Sequence, residues 1–152
     1  MSSSLFCSLA LLAQLISTPH QVSVEPSPAP TAHRGSTLDV PLKLTIRLGH
    51  HINSNTPAED YLIPTALTWD AGPLAPRGVT YPKAESVRYE FAEKPLLVYS
   101  GTITIASRFT VPSSAPHGPL TLTGRLRYQA CTDKMCLPPR TLPVSVPVKI
   151  DD

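Results

Sequence analysis

Charge of one sign is missing from this sequence. Its 152 residues carry 13 Lys+Arg against 11 Asp+Glu, a formal net charge of +2, so no strong field draws in nucleic acid or an acidic membrane. No run of basic residues resembles a phosphate-binding patch, and nucleic-acid binding is set aside. Helical periodicity is missing as well: beyond the N-terminus, no long stretch repeats apolar residues every three to four positions. A membrane-spanning run is absent after the N-terminal segment too. Glycine is ordinary at 7, whereas proline is frequent at 18. Proline without a glycine excess points to rigid turns and blunted strand edges rather than flexible coil. What remains is an all-β chain of single-domain size, long enough to bury a core.

The apolar run at residues 5–16 (LFCSLALLAQLI) is shorter than the roughly 20 residues a spanning helix needs, and it fits the apolar region of a signal peptide. Residues 1–18 are read as a cleaved leader, although residues 1–4 lack the usual Lys or Arg. Export to the periplasm or beyond follows. Cys7 leaves with the leader, so only Cys131 and Cys136 remain, an even number in an oxidising compartment.

Residues 19–36 form a Pro-rich lead-in that resembles a linker, with a short strand expected at 21–25. The domain proper is expected at 37–152. Over 38–48 apolar residues fall at every even position, separated by Asp39, Pro41, Lys43, Thr45 and Arg47, the signature of a strand with one buried face. Pro41 cannot donate to a ladder and marks an edge or a bulge. GHHINSN (49–55) reads as a turn in which His51 and Asn53 fix the chain, and 65–69 as a further strand. Period two returns over 99–111, again at Leu120, Leu122, Leu126, Tyr128 and Ala130, and finally from Leu142 to Ile150. Trp69 and Tyr128 are assigned to the core. Short alternating strands separated by turns predict an antiparallel sandwich.

The last two strands predict a hairpin whose connection, about 131–140, carries both cysteines where partner thiols can reach them. Four residues separate Cys131 from Cys136. A bond between them removes little chain entropy, on the order of 2 kcal/mol, against nearly 5 for a loop of about 100 residues. The inward set of this strand is even, so Cys131 is expected to face away from the main core, on the side of Gln129. Two nearby cysteines can alternate between dithiol and disulfide through a mixed disulfide, and Lys134 between them favours a thiolate. On spacing alone an inert local disulfide stays an open alternative. A zinc site would need His50, His51 or His117 to converge on the pair, and the spacing shows no such pattern, so no metal is expected.

HINSN (51–55), PTALTWD (64–70), YPK (81–83) and YQACTDKMCLPP (128–139) occur in the order found in one family. In these motifs the chain resembles the N-terminal periplasmic domain of the DsbD-type thiol:disulfide interchange proteins. The resemblance implies an immunoglobulin-like sandwich with a redox-active pair, Cys136 forming the mixed disulfide and Cys131 resolving it. It also implies a mobile cap loop, matched here by 88–94, with Phe91 as the cap and Glu90 as a nearby acid; core packing is the other reading of Phe91. No cofactor is implied. The partners implied are a membrane-embedded thiol reductase as donor, and periplasmic disulfide isomerases or thioredoxin-like proteins of cytochrome c maturation as acceptors. The sequence ends at Asp152 without the family's membrane and thioredoxin-like domains, and the donor is accordingly expected to be a separate protein. The competing reading is a secreted immunoglobulin-like binding module with a passive disulfide. The cysteine spacing and the YQAC…CLPP match favour the redox carrier.

Overall fold

The computed structural model describes residues 19–152; the expected leader, with Cys7, lies outside them. Alternation builds the long strands. β1 (Val22–Val24) and β2 (Thr31–His33) precede β3 (Thr37–Ile46), which buries Leu38, Val40, Leu42, Leu44 and Ile46 on one face. Next come β4 (His51–Asn53), β5 (Ala66–Trp69), β6 (Ala75–Thr80), β7 (Glu85–Val87) and β8 (Leu96–Tyr99). The chain closes with β9 (Thr102–Thr110), β10 (Gly118–Tyr128), β11 (Ala130–Cys131) and β12 (Arg140–Asp151).

Among the described residues these form three four-stranded sheets, ordered β1-β3-β9-β6, β2-β12-β10-β5 and β11-β4-β8-β7. The pairings of these strands are antiparallel except the short one between β2 and the end of β12. The first two sheets are the halves of the expected all-β, immunoglobulin-like sandwich. β3 and β9 pair without slip from Thr37↔Thr110 to Thr45↔Thr102. β10 and β12 form the long hairpin from Gly118↔Ile150 to Tyr128↔Arg140. Their inward residues, among them Leu42, Phe109, Leu126, Tyr128 and Val148, make one core. Each such side chain stabilises by about 1.5–3 kcal/mol relative to exposure. β1 covers only residues 44–46 of β3. Pro41 therefore sits where that edge has no strand partner, and no bulge is needed.

The third sheet positions the site, and it is buried on both faces. Ala130, Ile52 and Tyr99 point into the main core. On the other face, Leu96 and Val98 join Leu62 and Ala92 in a second, smaller core, against which Val87, Tyr89 and Cys136 pack.

Several expectations need correction. The short strand expected at 21–25 is β1, but the rest of 19–36 is not a mere linker, because β2 also pairs within a sheet and buries Ala32. Leu48 is 97% exposed: β3 ends at Ile46, and the chain turns through Gly49, whose φ of 79° only glycine adopts freely. The run at 99–111 is two strands in different sheets, broken at Ser100 and Gly101 (φ 65°). His51 and Asn53 lie on a strand rather than in a turn. Cys131 belongs to a strand as well, and it is fully buried.

Candidate thiol–disulfide site

Cys131 ends β11 and stands opposite His51 of β4. The chain turns through 132–135 and returns, so that the Thr132 amide donates to the Met135 carbonyl (2.8 Å) and the Leu137 amide to the Ala130 carbonyl (2.8 Å). Those two bonds flank Cys131 and Cys136 and make them a narrow cross-strand pair, where side chains approach most closely. Their Cα atoms are 3.9 Å apart and their sulfurs are bonded at 2.01 Å. Thr132 is the residue that shapes the turn. Its Oγ1 accepts from the amides of Lys134 and Met135, each at 3.3 Å, a side-chain substitute for turn hydrogen bonding.

The two sulfurs differ in environment. Cys131 is not part of the main core cluster; its cross-strand neighbour is His51, on which Tyr89 stacks, and Cys131 is 0% exposed. Cys136 is half-buried at the rim of the second core, next to Met135, which is largely exposed.

Gln129 wires the base of the site. Its Nε2 donates to the Leu137 carbonyl (3.2 Å), and its Oε1 accepts from Asn53 Nδ2 (2.9 Å) and the Ile63 amide (3.1 Å). Asn53 Nδ2 also donates to the Ile63 carbonyl, and Thr65 Oγ1 donates to the Asn53 carbonyl at 2.6 Å. Residues of HINSN, of the loop before β5 and of YQAC thus form one polar network. Sequence reasoning left Gln129 without a role; its only signal was its place inside YQAC.

The loop 88–95, which contains the stretch expected to form the cap, joins β7 to β8 and packs Tyr89 on His51 of the third sheet. Tyr89 stacks on His51 (ring centroids 4.3 Å, 19°), and Phe91 stacks on Tyr89 (5.6 Å, 21°). Phe91 is 39% exposed at the outer end of the stack and is not a core residue. Glu90 lines a shallow cleft with Arg88, Tyr89, Asp133 and Lys134, between the cap loop and the cysteine turn. Tyr89, unremarked in the sequence, is thus the residue that joins cap to sheet. Burial, with a smaller effect from the neighbouring His50, pushes the His51 pKa down to about 4. The ring is neutral near pH 7. His50 and His117 do not join the cysteines: His50 Nδ1 faces the Leu48 carbonyl, and His117 faces Asp152.

The sequence profile of the family described as thiol:disulfide interchange protein DsbD, N-terminal, matches residues 19–147. The chain belongs to that family. The match takes in both cysteines, the cap loop and the two strands of the lead-in. Among curated proteins none matches significantly. Two of the solved structures similar to the chain illustrate the range. One comes from work on aggregative adherence fimbriae of enteroaggregative Escherichia coli, at 10% identity and TM-score 0.37, covering 86% of this chain and 97% of that one. The other is a family 123 glycoside hydrolase from Clostridium perfringens, at 15% identity and TM-score 0.25, covering 79% and 22%. Likenesses that slight carry no argument. Among the described residues no helix is long and apolar enough to cross a membrane.

Proposed function

We propose that this domain is an exported dithiol carrier in which Cys136 exchanges with partner proteins and Cys131 resolves the mixed disulfide. The observation that carries the reading is the unequal burial of the pair: Cys131 is sealed, and Cys136 lies at a rim. In the reduced protein the Cys136 thiolate attacks one sulfur of a partner disulfide. A mixed disulfide forms and the partner's first thiolate leaves. Cys131 then attacks the Cys136 sulfur, closing the intramolecular bond and releasing the second partner thiolate. Two electrons pass from the dithiol to the partner. A membrane-embedded thiol reductase restores the dithiol by the reverse sequence, because an oxidising compartment supplies no other reductant. The acceptors are periplasmic disulfide isomerases or thioredoxin-like proteins, including those of cytochrome c maturation. Phe91 and Glu90 meet the partner when the cap loop moves aside, and Lys134 favours the Cys136 thiolate.

Cysteine-to-serine variants test the assignment. Cys131→Ser should accumulate long-lived mixed disulfides through Cys136, since no resolving thiol remains, and Cys136→Ser should trap few. Equal trapping by both variants overturns the roles, and trapping by neither favours the passive binding module.

A further inference from the structure

His51 is 4% exposed, and its Nε2 has no hydrogen-bond partner among the described residues. Such orphans are rare in folded proteins and ask for a reason. The ring lies on β4 directly opposite Cys131, and directly opposed residues place their side chains on the same face of a sheet. Tyr89 stacks on the ring. In the oxidised protein the Cys131 sulfur has no hydrogen to give. In the dithiol it has one.

That change in Cys131 bears on the resolving step. A thiol attacks only as its thiolate, and burial in apolar surroundings raises a thiol's pKa. A fully buried Cys131 would therefore be a poor resolver without a neighbour to take its proton. Resting on the carrier reading above, we infer that His51 is the proton acceptor for the Cys131 thiol in the resolving step. The step balances as follows. The Cys131 proton passes to the imidazole, and the thiolate attacks the Cys136 sulfur. The Cys131–Cys136 bond forms, the bond from Cys136 to the partner breaks, and the partner leaves as a thiolate that recovers the proton. Burial keeps the resting imidazole uncharged at neutral pH, and the thiolate that forms opposite it raises its basicity within the step itself. The ionisable groups around it are His50 beside it in the chain, Cys131 opposite and Tyr89 stacked on it, with Glu85 acting on Tyr89. Beyond Tyr89 the cleft carries Arg88, Glu90, Asp133 and Lys134.

The test uses reduced protein and dithionitrobenzoate, which releases one thionitrobenzoate as it caps Cys136 and a second when Cys131 resolves the mixed disulfide. In the wild type the second release should vary little between about pH 6 and 8. In His51→Phe, which keeps a ring for Tyr89 to stack on, and in His51→Gln, which keeps a polar side chain, it should slow at least about tenfold near pH 6. In both variants it should then climb about tenfold per pH unit, as an unassisted thiol does below its pKa. In a Cys136→Ser background, the thiolate absorbance of Cys131 should titrate at higher pH once His51 is replaced. Unchanged rates and profiles in both variants overturn the inference, as does a wild-type profile retained by His51→Gln alone, which assigns His51 to packing. Absence of any second release from the wild type is a different result: there the carrier reading itself fails.

Discussion

Reducing the Cys131–Cys136 bond should leave the sandwich folded and lower its stability by only about 2 kcal/mol. The bond spans a sequence separation of 5. Closing a ring of about six residues removes roughly 7 cal/mol/K from the unfolded chain, near 2 kcal/mol at 25 °C. A domain of this size commonly has about 5–15 kcal/mol to draw on. The native contacts around the pair do not depend on the bond, because Gln129 ties Leu137, Asn53 and Ile63 together through its own side chain, and a buried thiol packs as a small apolar group. By the thermodynamic cycle, folding should then make the disulfide harder to reduce than in the unfolded chain by about 45 mV, since about 30 mV corresponds to 1.4 kcal/mol for two electrons. Urea unfolding of both forms reads the first quantity through Trp69, which packs edge-on against Phe109 and donates to Ser107. Glutathione equilibria in buffer and in urea read the second. A reduced form without a cooperative transition, or a gap above about 4 kcal/mol, refutes the reasoning and makes the bond a structural staple.

Phe91→Ala should speed the reaction of the pair with glutathione several-fold and cost under about 1 kcal/mol, because only one face of a 39% exposed ring is stacked; an unchanged rate with a large loss of stability contradicts a cap. Gly124→Ala should destabilise by about 2–3 kcal/mol, since a Cβ there runs into the Thr68 carbonyl oxygen and presses on the Trp69 ring; a loss below about 0.5 kcal/mol in urea unfolding shows that β5 can yield. His51 predicts a pH effect with a definite sign. Its folded pKa, about 4, lies below the ordinary 6.5, so the unfolded chain binds the proton first. Stability is complete above about pH 6.5 and falls by up to about 3 kcal/mol as pH drops towards 4. Urea midpoints across that range measure it, and an equal slope in His51→Phe assigns the effect to another group.

The long strands were legible because each buries one face: period two marks β3, β10 and β12 directly. The third sheet was not, for a physical reason. His51, Ile52 and Asn53 are all buried, so no alternation marks β4, and Ala130–Cys131 is too short for any pattern. β7 is equally short, and β2 hides in a Pro-rich stretch that composition alone marks as linker. The cysteine pair stood out by its residues, and the cap loop by its resemblance to a family. Gln129, Tyr89 and His51 did not, because their roles depend on which chain segments meet at the back of a sheet.

That sheet also explains how neighbouring cysteines come to occupy different environments. Ala130 and Cys131 are consecutive on a strand, so they point to opposite faces. One face had to be the main core, where Ala130 packs with Ile52 and Tyr99. The other would ordinarily meet water, and a sulfur there would be open to any thiol in solution. Instead His51 stands opposite Cys131 there with Tyr89 stacked on it, and Leu62 and Ala92 belong to the small core against which Tyr89 packs. Cys136 returns across the turn formed by 132–135 as the cross-strand neighbour of Cys131, but at the rim of the second core. A substitution that widens the turn should therefore change the reach of Cys136 before it changes the burial of Cys131. Thr132→Ala removes the oxygen that accepts from Lys134 and Met135, and it should alter thiol reactivity while the main sandwich keeps its stability to within about 1 kcal/mol. A loss of global stability without a change in reactivity would mean that the turn belongs to the fold and not to the site.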